Sequence, residues 1–183
     1  MKKLALALAV SGVLALSVPA APATAAIETY EAKMTAASAA AIAREDMYEA
    51  FGPQVLKPGQ FLWRDVPDSA GEERVVISLT DQLAYLYRGD TLAAVATISS
   101  GAGETPTPTG IFRVLEKKAM HHSRKYDNAP MPHMQRIDRF GIALHAGHNP
   151  GHPASHGCVR LPKQFAAKLF ALTGVGTPVL IGA

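Results

Sequence analysis

The chain has 183 residues, with 18 Lys or Arg, 15 Asp or Glu, seven His and one Cys. That length holds one domain and a modest extension. The near-balanced charge gives no footing for nucleic-acid binding, and a single cysteine excludes an internal disulfide.

The extension lies at the front. Lys2 and Lys3 precede an apolar run over residues 4–18, interrupted by Ser11, Gly12 and Ser17. "PAAPATAA" follows, with Ala23-Thr24-Ala25 as a small-residue cleavage pattern, so residues 1–25 are expected to be a secretory signal peptide. The run is short for about 30 Å of hydrocarbon, and no stable membrane span is expected once it is cleaved. No cysteine follows the run to carry a lipid anchor. Export to the periplasm or cell envelope is the expected localisation. Removing Lys2 and Lys3 leaves 16 basic and 15 acidic residues, a formal charge of +1.

Residues 26–72 are expected to form a helical or linker segment. Residues 27–51 are Ala-rich, with Ile42, Met47 and Phe51 at loosely helical intervals and Gly52-Pro53 as a stop. This stretch reads as a tether or a short helix lying on the domain. "QFLWRDV" suggests a short strand. From residue 73 the period changes, and a domain over residues 73–183 is expected. "RVVISL", "LAYLYR" and "TLAAVATIS" are strands of an antiparallel meander, punctuated by turn residues. Leu83, Tyr85 and Tyr87 alternate with Ala84 and Leu86, so the two sets face opposite sides. "SGAGETPTPTG" is a rigid loop and "IFRVLE" a strand. Residues 117–139 are mostly polar and read as a long irregular region, with His121 and His122 solvated. "GIALH" is a strand that delivers His145. "LPKQFAAKLFALTGVG" is a helix with Phe165, Leu169 and Leu172 on one face, and "TPVLIG" is the last strand.

Chemistry concentrates in "GIALHAGHNPGHPASHGCVRLP", which holds four of the seven histidines and Cys158. His145, His148, His152, His156 and Cys158 match no compact zinc spacing, and no Asp or Glu follows Asp138 to serve as a partner. No metal and no cofactor is expected. A nucleophile accounts for more. A free thiol is only a few per cent thiolate at neutral pH, and an imidazole within reach can take its proton. Gly157 allows close approach of the backbone, whose N–H groups can stabilise an oxyanion, and Arg160 offers a fork for a carboxylate. The third member that orients the histidine is open: Asp127, Asp138, Asn149 or a backbone carbonyl can each serve. His148 and His152 read as exposed loop residues. Arg139, Arg160, Lys163 and Lys168 give the region from residue 139 a charge of +4, suited to anionic substrates.

"SHGCVRL" with the upstream "IALHAG" closely resembles the L,D-transpeptidase family with the YkuD-type catalytic domain, and "VVISLTDQLAYLY", "VATISSGAGETPTPTGIFRV", "MPHMQRIDRFGIALHAG" and "VGTPVLI" agree. The resemblance implies a mainly β, β-rich α+β fold with antiparallel sandwich or barrel-like sheets and one or two helices. It implies Cys158 as nucleophile, His145 as base oriented by the carbonyl of Ala146, Ser155, His156 and Gly157 as the motif around the oxyanion hole, and Arg160 as a substrate or motif contact. Met131 and His133 fall where the family lines its cleft. The implied partners are peptidoglycan stem peptides: attack on the third residue of a tetrapeptide expels D-Ala, and an amine takes the thioester to give a 3→3 cross-link. Acylation by carbapenems is implied as well. The segment between His145 and Ser155 is shorter than in many members. The competing readings are an L,D-carboxypeptidase, in which water takes the thioester, and a non-catalytic wall- or metal-binding module.

Overall fold

The structure is a computed structural model that describes residues 26–183; the expected signal peptide lies outside the described residues. A short strand β1 (Ala26–Ile27) leads into helix α1 (Tyr30–Phe51). Then follow β2 (Phe61–Trp63), a 3₁₀ turn (Asp68–Ala70), β3 (Glu73–Ser78), β4 (Leu83–Arg88), β5 (Thr91–Thr97) and β6 (Gly110–Arg113). The C-terminal half adds β7 (Glu116–His122), β8 (Pro130–Arg136), β9 (Ala143–Ala146), β10 (Val159–Leu161), helix α2 (Lys163–Leu172) and β11 (Pro178–Gly182). Among the described residues no helix is long and apolar enough to cross a membrane.

The strands form two sheets. One has the order β1-β6-β11-β3-β4-β5-β2, the other β10-β9-β8-β7. Neighbours are antiparallel except β3/β11 and β9/β10, which are parallel. The expected β-rich sandwich with two helices is therefore present, with mixed rather than purely antiparallel sheets.

The continuous apolar runs of β3, β4 and β5 reflect a sheet covered on both sides. Val75, Ile77, Ala84 and Leu86 point into the main core with Phe112, Leu144, Val159, Leu161, Phe165 and Leu169. Val76, Tyr85, Tyr87 and Val95 point the other way, onto Ala40, Ala43 and Met47 of α1. The alternation expected in "LAYLYR" is thus realised, with both faces buried.

Of the two expected forms, a tether or a short helix lying on the domain, α1 is the helix, and at 22 residues it is longer than expected and packs as a layer on the sheet. Thr29 caps its start by accepting the Ala32 N–H, and Gly52, at φ +76°, closes it on the Tyr48 carbonyl. Its buried stripe is Ala32, Ala36, Ala40, Ala43 and Met47, whereas Ile42 is exposed. Alanines carry little hydrophobic contrast, so periodicity understates such a helix. What they permit is close approach: a Cβ on Gly182 of β11 would lie 2.5 Å from the Ala36 carbonyl oxygen. Tyr87 Oη donates to Asp46 at 2.5 Å and Arg44 pairs with Asp81 at 3.0 Å, tying the helix to the sheet.

Residues 117–139 are ordered, against expectation. They form the β7–β8 hairpin, whose tip turns through Asp127 (φ +44°) and Asn128 (φ +51°), with the Ala129 N–H donating to the Tyr126 carbonyl. Adjacent Asp and Asn tolerate the left-handed region that a tight hairpin turn requires. β7 is polar because it is an edge strand, and Lys117 and Lys118 suit that position. α2 ends at Leu172, one residue before the Thr173 cap; Phe165 and Leu169 are buried, but Leu172 is more than a third exposed.

Candidate active site

The site is built on the parallel pair β9/β10, whose register sets Arg160 against His145 and Val159 against Leu144. Leu144, Ala146, Val159 and Leu161 enter the main core. Strand alternation sends Ala143, His145, Cys158 and Arg160 to the other face. There Cys158 packs against Met131, Met134 and Ala143. Neighbouring strands thus present the thiol and the imidazole on one side of the sheet.

His145 is buried, and its Nδ1–H donates to the Ala146 carbonyl at 2.9 Å. That bond fixes the tautomer and leaves Nε2 with its lone pair free to accept a proton. Burial holds the imidazole below its ordinary range; the Ala146 bond opposes this, while Arg160 and His121 add to it. Of the candidates for orienting His145, the backbone carbonyl is the one in place. Asp138 instead accepts the N–H groups of Phe140 and Ile142, and Asn149 donates to Thr97.

Cys158 is half-buried, with Sγ 3.7 Å from the Gly141 carbonyl oxygen. Burial pushes its thiol up; the Ala143 backbone opposes this, Asp138 raises it further and Arg160 lowers it. A raised thiol beside a lowered imidazole is a neutral pair at rest.

The motif turn is self-bonded. Ser155 Oγ donates to the Cys158 carbonyl at 2.5 Å and accepts the Gly157 N–H at 3.2 Å. Ser155 therefore braces the turn as expected. The Gly157 N–H, in contrast, is taken up inside the turn and does not face the cleft. Gly157 itself is required by space and angle: at φ +109°, a Cβ would meet Ile142 Cδ1 at 2.5 Å. His156 is exposed and stacks on Tyr126 of the hairpin tip, centroids 4.3 Å apart and planes 14° from parallel. Arg160 makes no ion pair among the described residues, and its side chain runs over Gly147.

The two expected cleft residues part company. Met131 lies in the cluster with Cys158, but His133, at φ +54°, turns onto Phe170 of α2 with centroids 5.6 Å apart. The irregularity in β8 at His133 reverses the side-chain alternation that strand spacing assumes. His148 and His152 are exposed. Among the described residues no three His, Cys, Asp or Glu side chains gather at metal-binding distance.

Two supports lie behind the motif, the first in the loop expected to be a rigid turn under the site. Thr107 Oγ1 donates to the Gly157 carbonyl at 2.8 Å and accepts the Gly101 N–H at 2.8 Å. The "ETPTPTG" loop is thus a strut under the motif. Thr107→Val keeps the shape and leaves both buried partners unpaired. A stability loss of about 1–3 kcal/mol is expected, measured by denaturant unfolding, together with slower acylation of Cys158. The second support is Asp138, whose carbonyl accepts Arg136 Nη1 at 2.7 Å while its carboxylate gathers the loop that carries Gly141. Glu116 holds Arg136 across the hairpin at 2.9 Å.

A half-buried thiol, an imidazole held by a backbone carbonyl and a guanidinium with no ion pair among the described residues lie on one sheet face, the parts that cysteine acyl transfer would need. The sequence model of the L,D-transpeptidase catalytic domain family (YkuD) matches residues 72–181, and the chain belongs to that family. Solved structures agree in fold. An L,D-transpeptidase from Mycobacterium smegmatis aligns with 22% identity and a TM-score of 0.57, covering 61% of this chain and 59% of that one. One from Xylanimonas cellulosilytica aligns with 29% identity and a TM-score of 0.56, covering 65% and 64%. L,D-transpeptidase 3 from Mycobacterium tuberculosis, solved in complex with a faropenem-derived adduct, aligns with 20% identity and a TM-score of 0.56, covering 61% and 60%. The chain thus spans roughly three-fifths of the length of these relatives. No curated protein sequence matches it.

Proposed function

We propose that this chain is an exported L,D-transpeptidase acting on peptidoglycan stems. The observation that carries the reading is the β9/β10 register, which sets the base strand beside the nucleophile strand with both side chains on one face. His145 Nε2 takes the Cys158 proton as Sγ attacks the carbonyl of the third residue of a tetrapeptide stem. The tetrahedral oxyanion is met by backbone N–H groups of the motif; with the Gly157 N–H engaged by Ser155, its neighbours in the 156–158 segment fill that part. The C–N bond to the terminal D-Ala breaks, and the imidazolium protonates the departing amine. A thioester remains on Cys158. An amine of a second stem, deprotonated by His145, then attacks it, forming the 3→3 amide and restoring the thiol. Arg160, free of any ion pair among the described residues, holds a substrate carboxylate.

Export rests on Lys2, Lys3, the apolar run and the Ala23-Thr24-Ala25 pattern. Acylation by β-lactams, carbapenems included, is supported by the faropenem-derived adduct on one solved relative and by the imipenem complex of another, LdtMt1.

The deciding experiment is a digest of stems incubated with the mature chain, resolved by mass. Dimers joined 3→3 are the expected product. Tripeptides with no dimers would make the chain an L,D-carboxypeptidase; unchanged tetrapeptide would end the enzymatic reading.

A further inference from the structure

The segment before residue 72 lies outside the family match, yet it reaches the catalytic loop. Residues 57–60 form a tight turn closed by two of its own bonds: the Gln60 N–H donates to the Lys57 carbonyl at 3.0 Å and the Lys57 N–H to Gln60 Oε1 at 2.8 Å. This turn meets Thr97 at the end of β5. Gly59 N–H donates to Thr97 Oγ1 at 2.9 Å, the Thr97 N–H donates to the Gln60 carbonyl at 3.1 Å, and Thr97 Oγ1 donates to the same carbonyl at 3.2 Å. From the other side Asn149 Nδ2 donates to the Thr97 carbonyl at 2.8 Å and to Thr97 Oγ1 at 3.1 Å. Asn149 Oδ1 accepts the Gly151 N–H at 3.0 Å, and Gly151 returns to the turn, so close that a Cβ there would lie 2.5 Å from Pro58 Cγ. The circuit runs turn, Thr97, Asn149, Gly151, turn, and it closes around one buried hydroxyl.

What the circuit grips is the loop of residues 147–154. Its first neighbour is Ala146, whose carbonyl orients His145; its last is Ser155, which braces the Cys158 carbonyl. The loop is the covalent link between base and nucleophile, and it is also held by Ser99 Oγ donating to the His152 carbonyl at 2.8 Å and by the Ala154 N–H donating to the Ser100 carbonyl at 2.9 Å. A loop so short has little slack, so displacement of its middle transmits to both ends.

We propose that residues 57–60 complete the catalytic unit, clamping the 147–154 loop through Thr97 and Asn149, which act as positioning residues for His145 and Cys158. The catalytic readout rests on the transpeptidase reading above; a second readout does not.

Thr97→Val removes the shared hydroxyl at nearly constant volume, and Thr97→Ser keeps it. The valine variant is expected to acylate with imipenem about tenfold or more slowly at saturating reagent, since misplacement by an ångström can cost about a hundredfold. Its acid limb should move, because the bond between His145 and the Ala146 carbonyl is disturbed; the serine variant should stay within about twofold of the parent. Asn149→Ala cuts the same link from the loop side, without touching the core, and should slow acylation likewise if the valine variant fails to fold. Independently, hydrogen exchange of the amides of residues 147–154 should quicken in Thr97→Val and Asn149→Ala and not in Thr97→Ser. Parent-like acylation in Asn149→Ala, or equal losses in the valine and serine variants, overturns the clamp. If the parent chain forms no acyl-enzyme at all, the transpeptidase reading fails instead, and unchanged exchange in the loop then decides against the clamp by itself.

Discussion

Cys158→Ala is expected to lose acyl transfer by about 10⁶-fold, the scale seen when one member of a nucleophile–base unit is removed. The structure gives no substitute. Cys158 is the chain's only cysteine, and the nearest hydroxyl in the turn, Ser155 Oγ, already donates to the Cys158 carbonyl and accepts the Gly157 N–H. Fold stability should hold to within about 1–2 kcal/mol, because the side chain is small and half-buried. The measurement is intact mass after imipenem: the parent gains one adduct, the variant none. An adduct on Cys158→Ala would place the nucleophile elsewhere. Cys158→Ser should remain nearly as inactive. A hydroxyl needs a stronger push than a thiol, and His145 has only a backbone carbonyl behind it. A neutral carbonyl stabilises an imidazolium less than the carboxylate of a serine-enzyme triad does. The missing acid and the use of sulfur belong together: a readily ionised nucleophile is served by a base of modest strength.

That pairing explains why the candidate site stands out in the amino-acid sequence while parts of the fold do not. Cys158, His145, Ser155 and Gly157 are adjacent or motif-spaced, and each residue type has few other uses in such company. The Ala146 carbonyl was implied by the family resemblance alone; the residues themselves left Asp127, Asp138, Asn149 and a backbone carbonyl open. The hairpin over residues 117–139 was missed because β7 is an edge strand facing solvent, where alternation carries no hydrophobic signal; the Asp127-Asn128 turn was the available clue. α1 was understated because its buried stripe is mostly alanine, which packs by closeness to Gly182 rather than by apolar bulk. His133 was set with Met131 from the family resemblance; its left-handed backbone, at φ +54°, turns the ring onto Phe170 instead. Thr97, at the end of β5, and the loop residues Thr107 and Asn149 are common polar residues. Only the fold reveals that each bridges segments tens of residues apart.

His145→Ala is expected to slow acylation by about 10²–10⁴-fold, the usual contribution of a positioned base, and its pH behaviour separates this site from a preformed ion pair. Burial lowers the imidazole and raises the thiol, so neither is charged at neutral pH. Proton transfer must then accompany attack. In the parent, acylation should therefore be lost only as pH falls below about 6.5, the ordinary histidine value, through the lower one that His145 has in the fold. A thiolate–imidazolium pair would behave differently, with a thiol that titrates well below its ordinary range. Alkylation by iodoacetamide, which needs thiolate and no base, should keep rising with pH past the ordinary thiol range. Stability follows the same signs. Because His145 resists protonation in the folded chain, its contribution is fully present above about pH 6.5 and is lost as pH falls through the lower folded value. Cys158, raised in the fold, contributes below its ordinary titration range, about pH 8.5, and loses that contribution as pH rises through the higher folded value. In His145→Ala the acid limb of acylation should move up from the histidine range to the raised thiol's own titration, because the remaining rate tracks thiolate formation alone. An unchanged acid limb in that variant would mean that another group takes the proton, with His121, the other histidine that bears on the charge of His145, the first to replace.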